Sequence, residues 1–239
     1  MSSDVSQLWV YLSTTPLFWL AVTLTAYQLG NWLFQRLGYN PILNPVLIAV
    51  LVLVLLLKLS NTPYQTYFKG AQFIHFLLGP ATVALAIPLY REVAMIRKTF
   101  RPIAIALLLG SLAAIASAVG IAWLLGGEQV LLLTLAPKSV TTPIAMGISE
   151  QIGGLPSLTA VAVVLTGITG TVIGDLILKW TRVHDDTARG MAFGVASHGI
   201  GTAHAMQKSR TAGAFSALAM ALNGLLTALL LPVLVSLLR

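Results

Sequence analysis

Lys138 offers the most chemistry in this chain. It stands in APKSVTTP (136–143), a short polar run between two apolar stretches. An ammonium deep in a bilayer costs a few kcal/mol, so such a lysine faces a protein interior or a cavity, often opposite an anion. The plainer account is a lysine whose stem snorkels from a shallow loop to the interface. Thr141 and Thr142 precede the second apolar stretch and can cap the helix it forms, and Pro143 suits its first turn. Free N–H groups and the positive dipole end at that helix start favour negative charge. Lys138, the hydroxyls of Ser139, Thr141 and Thr142, and these amides together make a site for a small carboxylate anion. Threonines that do no more than cap a helix account for the same residues more simply.

A second constellation lies in ASHGIGTAHA (196–205), where Ser197, His198, Gly199, Gly201 and Thr202 supply a hydroxyl pair, an imidazole and pliable backbone. Glycine permits positive φ and close approach of a ligand, and His198 can bind a carboxylate or carry a proton. His204, six residues on, suits a hydrogen-bonded interior position or a coupling role. The two runs align without a gap at an offset of 60, with Ala136/Ala196, Thr142/Thr202, Ala145/Ala205 and Met146/Met206 identical. Matched interruptions at matched positions are the best sequence pointer to a transporter's binding site. Asp175 lies within the apolar stretch TGITGTVIGDLILKW. It either pairs with Lys179 one turn later or binds the proton or cation that couples transport. Asn223, near the middle of the last apolar stretch, is expected to be an interhelical hydrogen-bond partner.

These residues need a membrane around them. The chain has 57% hydrophobic and 9% charged residues and a mean hydropathy of +0.88, where soluble domains carry roughly a quarter charged residues. A net charge of +7 does not point to nucleic acid, because the basic residues cluster in short connections, the positive-inside pattern. There is no cysteine, hence no disulfide, thiolate nucleophile or Cys-based metal site. No GxSxG elbow, HExxH or paired carboxylates are present, and GITGTVIGD lies inside an apolar span, so no enzyme and no cofactor are expected. The segment MSSDVSQLWVYLSTTP lacks the basic start and cleavage site of a signal peptide and is expected to stay on the mature protein.

Six apolar stretches suit bilayer crossing, near 16–35, 41–58, 73–90, 102–125, 156–179 and 212–238. Gly79, Pro80 and Pro88 predict a kink in the third, and Gly30 and Asn31 in the first predict helix packing. The segments 126–156 and 187–210 each read as half-helix, break, half-helix. Arg91, Arg97, Lys98 and Arg101 place their loop in the cytoplasm. If both broken segments are hairpins returning to the side they entered, Lys179, Arg182, Arg189, Lys208 and Arg210 are cytoplasmic too. If both span, the 179–189 loop moves outside. The hairpin arrangement is favoured; it puts both termini outside and lets the two tips meet near the midplane. Non-helical backbone at that depth is tolerated only where protein or a watery cavity satisfies it.

The motifs LAPKSVTTPIAM (135–146), LTGITG (165–170), ASHGIGTAHA (196–205) and GAFSALAMALNG (213–224), in this order, resemble the LrgB/CidB/YohK family of bacterial inner-membrane proteins over nearly the whole chain. The resemblance implies two functions. Family members are described as antiholin-like or murein-hydrolase-regulating proteins that work beside a small holin-like LrgA/CidA-type membrane protein. Others in the wider family are linked to small carboxylates: pyruvate in bacteria, glycolate and glycerate in the plastid translocator whose C-terminal half is similar to this chain. Hairpin, span, hairpin, span is also an order used by elevator-type carriers, a fold-level analogy.

The expectation is therefore an all-α polytopic inner-membrane protein with about six transmembrane helices plus two broken re-entrant hairpins. Residues 1–125 form scaffold and oligomerisation helices, expected to make a homodimer, and 126–239 form the transport domain. The expected activity is secondary transport of a small monocarboxylate such as glycolate, glycerate, pyruvate or lactate. Lys138 and the hydroxyls at 139–142 hold its carboxylate, and Ser197, His198 and Thr202 close the site from the other hairpin. The alternative is antiholin-like regulation of murein hydrolase export with the holin-like partner.

Overall fold

Proline lacks the N–H that a helix's first turn leaves unbonded anyway, and four helices carry one at their first or second position: α1 (Pro16–Arg36), α2 (Pro45–Leu59), α8 (Thr142–Ile152, with Pro143) and α9 (Pro156–Trp180). The computed structural model describes residues 15–38, 43–77, 80, 83–84 and 86–238. Among these, every regular element is a helix. The remaining ones are α3 (Tyr64–Phe76), α4 (Ala86–Arg91), α5 (Val93–Lys98), α6 (Phe100–Leu124), α7 (Gln129–Leu135), α10 (Asp186–Lys208) and α11 (Arg210–Leu238). Contacts divide the chain into two units, Met1–Ala84 and Leu85–Arg239.

In the first unit α1 buries Trp19, Ala26, Gly30 and Phe34 along one stripe. Ala26 packs with Ala49 and Leu53 of α2, flanked by Tyr67 of α3. The Asn44 side chain caps α2 by accepting from the Val46 amide at 2.8 Å. Gly30 serves packing as expected, since a Cβ there would meet the Pro45 carbonyl oxygen at 2.7 Å. Trp19 is fully buried and meets Tyr67 edge-on, ring centroids 5.7 Å apart.

In the second unit α6, α9 and α11 are the three described helices long and apolar enough to cross a membrane. Twenty-five residues at 1.5 Å each cover roughly 37 Å, against a hydrocarbon core of about 30 Å. Their outer faces are apolar: Leu109, Leu165, Leu176 and Leu229 are more than half exposed. Their inner faces carry buried hydroxyls, and Ser111 on α6 lies 3.2 Å from Thr227 on α11. Apolar outside with small and polar residues at the helix contacts is the arrangement lipid selects.

Six spans were expected. Of the other three stretches, α1 mixes Gln28, Asn31 and Gln35 into its 21 residues, and α2 stops after 15. The third expected span, 73–90, includes residues 78, 79, 81, 82 and 85, and the kink expected at Gly79 lies outside the described residues. Helix α6, assigned from sequence to the scaffold region, packs into the second unit, where its Ile103 and Leu107 join Met191, Val195, Phe215 and Ala219.

Candidate solute-binding site at two helix breaks

The first break makes a closed hairpin. After α7 the chain continues in tight turns, with the Lys138 amide donating to Leu135 O at 3.1 Å and Val140 to Pro137 O at 3.2 Å. It reverses at Thr141, whose backbone is extended, and returns along α8 to Gly153 in the left-handed region (φ 92°). Three hydroxyls lock the open end. The Leu155 amide donates to Thr134 Oγ1 at 2.9 Å, and the Thr159 hydroxyl lies 2.9 Å from Thr134 O and 2.7 Å from Ser149 Oγ. Thr134 and Leu155 flank the break yet touch, so this segment returns to the end it started from.

The second break also folds back. Helical geometry in α10 fails at His198 alone (φ 42°, ψ −130°), a conformation that costs an L-residue roughly 1–3 kcal/mol and clusters at functional sites. In an unbroken helix Phe193 and His204 would sit about 16 Å apart along the axis. Their rings are instead 5.0 Å apart. A Cβ on Gly201 would lie 2.6 Å from Phe193 O, so only glycine lets the two arms approach this closely. The base of this hairpin is ionic. Asp175 of α9 accepts from Arg189 on the first arm at 2.7 Å, and lies 2.8 Å from His204 Nε2 and 3.2 Å from Lys208 Nζ on the second.

Helix α9 orders the two hairpins. The hydroxyl lock of the first closes at Thr159 and the ionic base of the second at Asp175, 16 residues or roughly 24 Å apart along the axis. The tips meet between these ends. Val163 packs its side chain with Ala136 and Val140, while its carbonyl lies 2.9 Å from His198 Nε2. That contact makes Nε2 the protonated nitrogen and leaves Nδ1 as an acceptor. Asn223 of α11 joins both breaks, its amide donating to Ser139 O at 3.4 Å and Val195 O at 3.3 Å. Lys138 lies within Coulombic reach of His198, and its side chain makes no hydrogen bond or ion pair among the described residues.

The expected site residues divide. Lys138, Ser139, Ser197, His198 and Thr202 lie at the two breaks, with Ser139, Ser197, His198 and Thr202 buried. The Thr202 hydroxyl is engaged by His198 O at 2.8 Å and Ser216 Oγ at 3.0 Å. Thr141 occupies the N-cap of α8, but its side chain makes no cap hydrogen bond, so both it and Thr142 keep hydroxyls uncommitted to the helix. A Cβ on Gly199 would make only an ordinary contact, 3.9 Å from Met220 Sδ. The positive φ expected of a glycine falls on His198 instead. Asp175 does not pair with Lys179; the folding back of α10 brings Arg189, His204 and Lys208 to it. Two buried polar atoms lack partners among the described residues, Ser197 Oγ and Asn223 Oδ1. Ser197 Oγ stands where a Cβ on Gly170 would be, 1.8 Å away, which explains the second glycine in LTGITG. No group of His, Asp and Glu among the described residues suits a metal ion.

A family model described as the LrgB-like family matches residues 23–237. Among curated proteins, an "Antiholin-like protein LrgB" of Bacillus mycoides (strain KBAB4) is 32% identical over 91% of this chain and 95% of its own length. The YwbG protein of Bacillus subtilis (strain 168) is 42% identical over 75% of this chain and 80% of its own. A protein of Haemophilus influenzae (strain Rd) is 38% identical over 74% of this chain and 76% of its own. No solved structure matches the chain.

Proposed function

This chain belongs to the LrgB-like family, and from that premise and the two facing hairpins we propose that it is a secondary transporter of small monocarboxylates in the bacterial inner membrane. The observation that carries the reading is Asn223 joining both breaks beside a lysine that has no counter-ion among the described residues. Broken helices that converge at depth, with a helix N-terminus and a cation at the meeting point, are how carriers hold anions. The carboxylate rests on Lys138, the hydroxyls of Thr141 and Thr142 and the first amides of α8. Ser197 and the Nδ1 of His198 close the site from the other hairpin. Glycolate, glycerate, pyruvate and lactate have the required head group. The protein acts without covalent chemistry, crosses the membrane about six times, pairs as a homodimer through its N-terminal helices, and exposes the site alternately by moving the hairpin region in the elevator manner.

A second reading has its own support. The names of the LrgB relatives favour an antiholin-like regulator acting with a small holin-like membrane partner, and they speak for it more directly than for transport. Uptake of labelled glycolate and pyruvate by liposomes holding the purified chain separates the two. Carriage predicts saturable uptake, reduced at least tenfold by Lys138→Ala. Uptake absent both alone and with the holin-like partner leaves the regulatory reading.

A further inference from the structure

Lys138 opens onto a cavity of about 710 Å³ formed within the second unit by the end of α6, the turn after it, α7 and the start of α9. Its walls include Ala122, Leu131, Leu135 and Leu155, and apart from Lys138 and the exposed Glu128 every lining side chain is alkyl or glycine. No ion pair joins Lys138 to Glu128. Pockets of roughly 300–1,000 Å³ hold drug-sized molecules, so this one is far larger than a two- or three-carbon acid needs. A lone cation at one point of an alkyl cavity complements one kind of solute: a single anionic head on an apolar body. A second carboxylate on the solute would gain no second cation here and would meet the acidic Glu128.

We propose that this cavity receives the alkyl tail of a monocarboxylate whose head is held by Lys138, so that straight-chain acids of four to six carbons bind better than hydroxy acids of two or three. The inference rests on the reading that Lys138 binds a carboxylate and names the solute class of that same site. The tail leaves water for the surface of Ala122, Leu131 and Leu155, and each methylene so buried contributes a further increment of affinity. A phospholipid offers a similar anionic head and tail, so the test must tell free acid from lipid.

Binding of acetate, butyrate, hexanoate and glycolate to the full chain in discs of zwitterionic lipid, followed by calorimetry, tests the proposal. Affinity is expected to rise roughly threefold to fourfold per methylene from acetate to hexanoate, with glycolate no tighter than acetate. Lys138→Ala weakens every acid by a similar factor. Leu155→Asn, at a half-exposed wall position, weakens hexanoate while sparing acetate. A series that is flat with chain length overturns the proposal, as does one that Lys138→Ala leaves unchanged, which marks partitioning into lipid. Abolition of the response by anionic phospholipid assigns the cavity to a lipid head group and overturns it too. Binding by none of the acids, the result if a second copy covers the cavity, does the same. Lys138-dependent glycolate uptake with a flat series leaves the transport reading standing without this inference; a steep series without uptake leaves this inference standing without transport.

Discussion

The two hairpins solve the same folding problem with opposite placements of charge. Each must return a helical arm through the bilayer and satisfy the backbone at its turn. The first closes its base with neutral hydroxyls, Thr134, Ser149 and Thr159, and carries its charge, Lys138, at the tip. The second closes its base with ions around Asp175 and places a histidine, held to a carbonyl, at its tip. Paired charge at a base fixes an arm in place, whereas unpaired charge at a tip waits for something else to neutralise it. The comparison divides structural charge from the proposed site: the ions of the second hairpin pair with one another, and the ion of the first is the one that the transport proposal assigns to a solute.

The largest effect is therefore expected at the ionic base. Asp175→Asn leaves Arg189 and Lys208 facing each other and His204 without its anion. Removing one partner of a buried ion pair costs about 3–5 kcal/mol; with the Asp175 side chain 23% exposed, solvent screening brings the expected loss to about 2–3 kcal/mol. Thermal unfolding followed by tryptophan emission, with hydrogen exchange over 186–208, measures it. Because the cluster is partly solvated, added salt is expected to narrow the gap between wild type and variant. A variant as stable as wild type would show that the base does not hold the hairpin.

Thr159→Val makes the matching change in the first hairpin. It removes one hydroxyl from the lock and leaves Ser149 and Thr134 O one partner short, for a loss of about 1 kcal/mol. No formal charge is involved, so the gap to wild type is expected to stay constant with salt. A salt-dependent gap here, or a loss as large as that of Asp175→Asn, would break the contrast between the two bases.

The breaks themselves were legible in the chain because polar, proline- and glycine-bearing runs interrupt apolar stretches, and lipid leaves few other meanings for such a pattern. The partners at each break were not. Sequence spacing along α9 points Asp175 to Lys179, four residues on, but a hairpin that doubles back brings Arg189, His204 and Lys208 from 14, 29 and 33 positions away. The same folding back puts the strained backbone on His198 rather than on Gly199 beside it, while Gly201 is needed for contact between the arms. Asn223 was recognisable as an interhelical bridge, though only the fold shows that what it bridges is the two breaks. Gly170 carried no signal that its missing Cβ makes room for Ser197.

The smallest effect lies where the second hairpin begins, outside the membrane. Asp185 caps α10, accepting from the Ala188 amide at 2.9 Å and from the Thr187 hydroxyl. These donors, the Thr187 hydroxyl foremost, hold its carboxyl below the ordinary aspartate value of 3.8. A depressed folded value means that the ionised form stabilises the fold. That contribution is present in full at neutral pH and is lost as pH falls below 3.8 through the folded value. An exposed cap of this kind contributes up to about 1 kcal/mol, and solvent screening keeps the charged part of it small. Asp185→Ala should therefore unfold slightly earlier than wild type at pH 7, with the difference shrinking in acid, while Asp185→Asn keeps the neutral cap and shows a smaller difference at pH 7 that also shrinks in acid, since only the wild-type carboxylate titrates. Titrations of Asp175 and its partners are common to all three proteins and cancel in the comparison. A gap for Asp185→Ala that stays the same from pH 7 to pH 3 would mean that the cap acts through its hydrogen bonds alone, leaving Asp175 as the acid whose charge the second hairpin depends on.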